Sequence, residues 1–585
     1  MKTLLLIDEP KETNILSNGP VEFFAPWAKP FKGIDQLTPP SFGPYPNPEE
    51  LYKTFLKTIN SAQYLADVLS DVVPSTLGIS EYPKSFWKYF FCRYVILTAG
   101  FVEDTMKRLK SLPEDDYVLG RPVNTEISCP ATIEVFLDTI DDPDFRRAII
   151  DVCLKSEFSE HKRIDYYSRR GIRLRSKKRK LYPFLRGMYY FAKGCAGNII
   201  SSFVPSHGIA MGLVRHSFYD VLFYSYSGIF VPAERLFQKK IPDFEPDWDL
   251  REKITENLSP PFKDIVKFTL PLTDLEGLRD VLKISKTIVE RFPENGKRLY
   301  VNPRAFTNRV LSRMAVCLLS HAGYEVVSIQ HGGACHYQAQ PGLIFTEGIV
   351  ADAVATWGWK EWDERPQIKT NKVIPMPSIY LYRLRKSMVN KKKKWKALLA
   401  VYTEGRYPKW IYDPIWPDMA FDYFSRQKVL FNYFNQLKPS AVKLYHDDDG
   451  WEQDKWIKEN FKNLTILSSG KFVKYADEAQ ICIVDYCSTV FVEMLARNKP
   501  FICTWSRKWF SSTPGFEQDL DKLSNVGIFY ADPEDLVKQF SLIGNDIEGW
   551  WNEPERKKIV SELARKDAYC PDDTRKQWRK EFCRP

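Results

Sequence analysis

From Lys297 onward, short apolar runs alternate with amphipathic stretches, the alternation stops, and then it starts again; few architectures can absorb that pattern. Lys297-Arg-Leu-Tyr-Val-Asn302 reads as a buried strand, residues 308–322 as an amphipathic helix, Tyr324-Glu-Val-Val-Ser-Ile-Gln330 as a second strand and Ala353-Val-Ala-Thr-Trp357 as a third. Strands joined through helices imply a parallel sheet, because a parallel return needs a crossover long enough to hold a helix. Pro375, Pro377 and the lysine run 391–394 interrupt the rhythm. It resumes with strands at 395–402, 441–445, 463–467, 481–485 and 500–504, and helices at 422–435, 472–476 and 490–497. Two such runs predict an α/β protein with two Rossmann-like domains facing a cleft, divided as residues 1–385 and 395–585.

The length of 585 residues supports the same division, since a single core stops growing well below that size. The N-terminal half adds helices to its domain: after an opening strand at Met1–Asp8, three- and four-residue apolar spacing predicts helical regions at 48–70, 85–111 and 131–156. Eleven cysteines without a pairing framework suit a reducing, cytoplasmic setting. No stretch approaches the roughly 18 apolar residues of a spanning helix, so any membrane contact is expected to be peripheral. The net charge of +10 is concentrated in Arg169–Lys180, which carries eight cations. That segment suits an anionic membrane surface better than nucleic acid, and a solvated basic helix face has the same composition.

Three motifs sit where strands end. Ser328-Ile-Gln-His-Gly-Gly333 places His331 at the carboxyl end of a strand, where open parallel sheets collect ligands, and gives it a side chain suited to general acid-base work. Gly332 and Gly333 would permit a tight turn and close backbone approach; a core histidine before an ordinary turn reads the same way. Lys443-Leu-Tyr-His-Asp-Asp-Asp-Gly-Trp451 offers His446, Asp449, Gly450 and Lys443 to a sugar, ribose or phosphate. A divalent ion on the aspartates is a weaker alternative, because the calcium-loop spacing is absent. Val484-Asp-Tyr-Cys-Ser-Thr-Val-Phe-Val-Glu493 ends a strand and opens a helix, with Ser488 as N-cap and Glu493 one turn further along. Such a helix start receives phosphate without a metal, although a well-capped helix needs no ligand to explain it. Cys335 and His336 lack a second ligand pair at zinc spacing.

At Gln330-His-Gly-Gly333, Thr356-Trp-Gly-Trp359, Asp449-Gly-Trp451 and Ser488-Thr-Val-Phe-Val-Glu-Met-Leu-Ala496 the sequence resembles a family of transferases assigned to O-antigen and related surface-carbohydrate synthesis. The His-Gly turn and the Asp485-Tyr-Cys-Ser488 helix start are more distantly similar to teichoic-acid glycerophosphotransferases and to capsule and O-antigen Kdo transferases, which use cytidine-nucleotide donors. The resemblance implies a GT-B-like glycosyltransferase; with the helix start and a basic residue such as Lys443 neutralising the leaving group, no metal or other cofactor is expected. The resemblance also implies His331 at the reacting centre, and His446, Ser488 and Thr489 around the donor phosphate; the residue pattern itself adds Asp449, Gly450, Glu493 and Lys443 as candidates on the donor side. Two departures stand out: Ala334-Cys-His336 follows Gly333 where the closer family shows tyrosine and glycine, and Asp447 follows His446 where the cytidine-donor enzymes have proline. The expected partners are a nucleotide-sugar donor and a lipid-linked or oligosaccharide acceptor. An epimerase or a glycerophosphotransferase of the same fold is the alternative within this architecture, and a basic nucleic-acid or membrane-surface binding protein the alternative outside it.

Overall fold

The structure is a computed structural model that describes residues 3–6, 21–23, 33–39, 43–112, 117–122, 129–139, 143–157, 163–166, 208–211, 241–290, 298–301, 309–330, 332–333, 336–339, 351–362, 372–389, 391–402, 417–445 and 450–582. Its strands form three parallel sheets. The first contains β1 (Thr3–Leu6), β2 (Val21–Phe23), β3 (Tyr117–Pro122) and β4 (Arg163–Tyr166), in the order β2-β1-β3-β4. The second contains β5 (Gly208–Met211), β6 (Arg298–Val301), β7 (Glu325–Ile329), β8 (Ala353–Thr356) and β9 (Val373–Pro375), in sequential order. The third contains β10 (Trp395–Ala400), β11 (Ser440–Lys443), β12 (Leu464–Leu467), β13 (Ala479–Val484), β14 (Phe501–Thr504) and β15 (Phe529–Tyr530), ordered β12-β11-β10-β13-β14-β15.

The second and third sheets are the two Rossmann-like units that the sequence implied, and the protein is of the α/β class. Residues 1–385 carry two of the three sheets. The additional strands, such as Val-Glu-Phe and Arg-Ile-Asp-Tyr, are too short and too polar to give an apolar run. The region 131–156 is two helices, Ile133–Thr139 and Pro143–Glu157, the second opening on a proline. The supposed break at Pro375 is the end of β9, an edge strand, where a missing amide hydrogen costs no ladder bond.

Alternation along the second sheet divides the N-terminal core. Leu299, Val301 and Val326 face a helical layer built on the hairpin Pro48–Leu77 and Lys84–Lys110. The first of these helices is capped at the start by the Asn47 side chain, with Pro48 in its first turn, and at the end by left-handed Gly78. Tyr300, Val327 and Ile329 point to the opposite face, where Trp578 is buried among them. Trp578 comes from the last helix, Thr574–Phe582, assigned from the sequence to the C-terminal domain. The helix packs on the second sheet: Glu581 accepts from Arg298 Nη1 at 2.6 Å, and Trp578 Nε1 donates to the Pro377 carbonyl at 2.7 Å. Buried apolar area on the far side of a parallel sheet must be covered, and the chain terminus covers it.

Candidate functional site

In the third sheet the strand order reverses between β10 and β13, the position where the connections after neighbouring strands run to opposite faces and ligands bind. β13 ends at Val484, and Ser488 caps the helix Thr489–Arg497: its backbone is extended and its Oγ accepts from the Val490 N–H at 3.3 Å. The helix is buried from Phe491 to Arg497 but only half-buried at Ser488, Thr489 and Val490. Its reachable part is therefore the end where N–H groups and the positive end of the peptide dipoles collect.

The turn after β7 arrives at this helix start from the other lobe. Gly333 N–H donates to Thr489 Oγ1 at 3.2 Å. The approach needs glycine, because a Cβ at position 333 would lie 2.5 Å from Val492 Cγ2 and 2.9 Å from Thr489 Cα. The carboxyl ends of the two sheets thus face each other, the arrangement expected of GT-B proteins. The chain then continues into the C-terminal lobe: Gln338 bridges Ser512 in antiparallel fashion, Thr513 N–H donates to the Tyr337 carbonyl at 2.9 Å, and Ala339 N–H to the Ser511 carbonyl at 2.8 Å. Fully buried Tyr337 stacks on Phe516 with centroids 4.1 Å apart. His336 Nε2 lies 3.3 Å from Asp567 Oδ1, and burial favours the uncharged form of each, lowering His336 to about 3 and raising Asp567 to about 7. Residues 332–333 and 336–339 therefore stitch the lobes together.

One residue of this region entered the sequence reading only as part of the strand-end motif, with no role of its own. Asp485, directly after β13, is buried with Oδ1 lacking a hydrogen-bond partner, while Oδ2 accepts from Tyr423 Oη and Gln427 Nε2, both at 2.7 Å. Burial raises its pKa to about 7, an effect that hydrogen bonding from Gln427, Tyr423 and the Tyr402 backbone and the charge of Arg426 only partly oppose. Tyr423 Oη also meets the backbone of Tyr402 after β10, so the ends of the two switch-point strands are tied through one hydroxyl. A carboxylate at a strand end preceding a helix cap was the available signal.

The remaining expected site residues are placed as follows. Glu493 is buried and accepts from Tyr380 Oη of the helix Ile379–Lys386; burial holds its carboxyl above the ordinary range. It ties the helix between the lobes to the helix after β13. Lys443 ends β11, and its largely buried Nζ donates to the Leu444 carbonyl at 2.7 Å, with desolvation lowering its pKa. Gly450 adopts φ 94°, the left-handed region that glycine suits, and leads into buried Trp451. Gly332 lies beside Thr489, an added Cβ meeting its Oγ1 at 3.5 Å. His331, His446, Asp449 and the basic segment 169–180 lie outside the described residues. The structure thus brings together Gly332, Gly333, Ser488 and Thr489. Among the described residues no group of three His, Cys, Asp or Glu side chains could hold a metal, and no helix is long and apolar enough to cross a membrane.

Among solved structures, the chain is similar to the UDP-GlcNAc 2-epimerase of Neisseria meningitidis bound to UDP-GlcNAc, with a TM-score of 0.33 and 10% identity over 56% of this chain and 83% of that one. It is also similar to MurG of Acinetobacter baumannii, with a TM-score of 0.32 and 13% identity over 65% and 99% of the two chains. For the wall teichoic acid polymerase TagF the TM-score is 0.31, with 10% identity over 69% and 96%. No curated protein matches the sequence. The family model for the LIC12162 family transferases matches residues 11–582, and the chain belongs to that family.

Proposed function

We propose that this transferase moves a glycosyl group from a nucleotide-activated sugar onto a lipid-linked or oligosaccharide acceptor during cell-surface polysaccharide or O-antigen synthesis. One observation carries the reading: the contact of Gly333 with Thr489, which sets the turn of one sheet against the phosphate-competent helix start of the other. His331 is two residues from Gly333, a separation of at most about 7 Å along the backbone. An acceptor hydroxyl attacks the anomeric carbon, its proton passes to His331, and the bond to the nucleotide phosphate breaks. The helix beginning at Thr489 then stabilises the departing phosphate through its dipole and N–H groups, so no divalent ion is required. His446 and Asp449 complete the donor side, and the resemblance to cytidine-donor enzymes favours a cytidine nucleotide. The basic segment 169–180 holds the protein at the cytoplasmic face of the membrane, near a lipid-linked acceptor.

A thermal-shift screen of CDP, UDP, GDP and ADP tests the donor class, since only a nucleotide that binds the native state raises the melting point. The nucleotide sugar of the best binder is then assayed for transfer with EDTA present. Wild type should turn over and His331→Ala should lose at least a hundredfold, the scale of a missing general base. Full activity in His331→Ala would remove that residue from the chemistry, and abolition by EDTA would reinstate a metal.

A further inference from the structure

Three neighbouring strands of the third sheet end in the same way: Ala400-Val-Tyr402 after β10, Lys443-Leu-Tyr445 after β11 and Val484-Asp-Tyr486 after β13. Ala400 is paired with Lys443 on one side and with Val484 on the other. Each tyrosine follows its paired residue by two positions, so Tyr445, Tyr402 and Tyr486 occupy one register row at the carboxyl edge, spanning the switch point. Their rings are in contact: centroids are 5.1 Å apart for Tyr402 and Tyr445 and 4.7 Å for Tyr402 and Tyr486, the latter pair stacked at 24°. The row is graded in exposure. Tyr486 is buried and takes a hydrogen bond from Gln338 Nε2 of the interlobe strip at 3.2 Å, Tyr402 is half-buried, and Tyr445 is 44% exposed.

From this row we infer a stacking platform for the nucleobase of the donor, with Tyr445 as the ring on which the base lies; the inference rests on the nucleotide-donor reading above. A single exposed tyrosine would mean little. Here the exposed ring belongs to a continuous aromatic row whose buried member, Tyr486, is fixed two residues before the Ser488 cap. β11 and β13 are two strand spacings apart, about 10 Å, comparable to the reach from a base to the diphosphate of an extended nucleotide. A planar ring on Tyr445 therefore directs its phosphates along the row toward Ser488 and Thr489. Stacking is tolerant of base identity, since every base presents a π-face, so the platform supplies affinity while edge contacts would choose the base.

The test is calorimetric titration of the full chain with CDP, UDP, GDP and ADP, and separately with inorganic pyrophosphate, for wild type, Tyr445→Ala and Tyr445→Trp. Tyr445→Ala should weaken the nucleotide that binds wild type best by about five- to 150-fold, the range set by loss of one base stack. Pyrophosphate binding should be unchanged, and Tyr445→Trp should restore nucleotide affinity. Equal nucleotide affinity in wild type and Tyr445→Ala would overturn the platform while leaving the donor reading intact. Equal weakening of nucleotide and pyrophosphate would also overturn it, because the ring would then act on the phosphate site. Absence of binding by all four nucleotides to wild type would remove the donor reading itself, and the platform with it.

Discussion

Replacing Gly333 by alanine probes the junction of the lobes at a single atom. The added Cβ would stand 2.5 Å from Val492 Cγ2 and 2.9 Å from Thr489 Cα, whereas carbon pairs settle at about 3.5–4.0 Å. Neither neighbour can step aside: Thr489 Cα is helix backbone, and buried Val492 is a β-branched residue with one strongly preferred helical rotamer. The turn must instead withdraw by about 1 Å, which stretches the 3.2 Å bond from Gly333 N–H to Thr489 Oγ1 beyond hydrogen-bonding length. Overpacking of this kind costs about 1–3 kcal/mol, little enough to leave a large chain folded. A 1 Å misplacement at a reacting centre costs on the order of a hundredfold in rate. Gly333→Ala should therefore lose about 100-fold in kcat/KM with a modest fall in melting temperature. Gly332→Ala is the matched control, because its Cβ would meet only Thr489 Oγ1, at an ordinary 3.5 Å. Turnover of the donor found by the nucleotide screen, together with amide exchange of peptides covering 330–339 and 486–497, reads both effects. If the two variants behave alike in rate and in protection, the lobes do not meet at this turn and the reasoning fails.

Two further perturbations test the surroundings of the site. Asp485 titrates at about 7 in the folded chain against an ordinary value near 4, so the folded state holds a proton that the unfolded state releases. Its contribution to stability is therefore present at low pH and is lost as pH rises from about 4 through about 7, by roughly 4 kcal/mol at most. Asp485→Asn should flatten the fall in melting temperature over that window and be the more stable protein at pH 8; an unchanged slope would refute the assignment. Arg108, on the helical hairpin, makes a bidentate pair with Asp418 of the C-terminal lobe at 3.1 and 2.6 Å and holds Asp104 at 3.0 Å, all three residues being buried. Arg108→Met takes the shared cation from buried Asp418 and Asp104, Asp104 keeping its bond from Tyr45 Oη at 2.7 Å, and should cost about 3–5 kcal/mol, with much of the loss recovered when Asp104→Asn and Asp418→Asn are added. A single variant that resists urea as well as wild type would show that the pair does not join hairpin and lobe.

Legibility along the chain followed the strength of local pattern. Strands such as Ala479–Val484 and Glu325–Ile329 are apolar, flanked by polar punctuation and followed or preceded by helices of clear periodicity, so their positions and even the Ser488 cap could be read directly. Strands β2 to β4 carry mixed polar residues and gave no such signal. The glycine pair was noticed for its freedom of backbone, yet which of the two is indispensable depends on Val492 and Thr489, which lie more than 150 positions away. Asp485 was read as part of a strand end, with no indication that Tyr423 and Gln427, from the helix Ala420–Gln436, would surround its carboxyl. The tyrosine row was visible only as three unremarked residues, because alignment of strand ends depends on sheet register.

Local chemistry was enough to specify a pair of parallel sheets, a capped helix suited to an anion, and glycines poised for close approach, because side-chain period, capping and backbone freedom act between residues a few positions apart. Assembly in three dimensions chose everything that joins distant segments: the meeting of Gly333 with Thr489, the return of Trp578 to the second sheet, and the single aromatic edge made by Tyr402, Tyr445 and Tyr486. Those contacts arise when burial of whole sheet faces selects one packing, and no short window of residues contains that information.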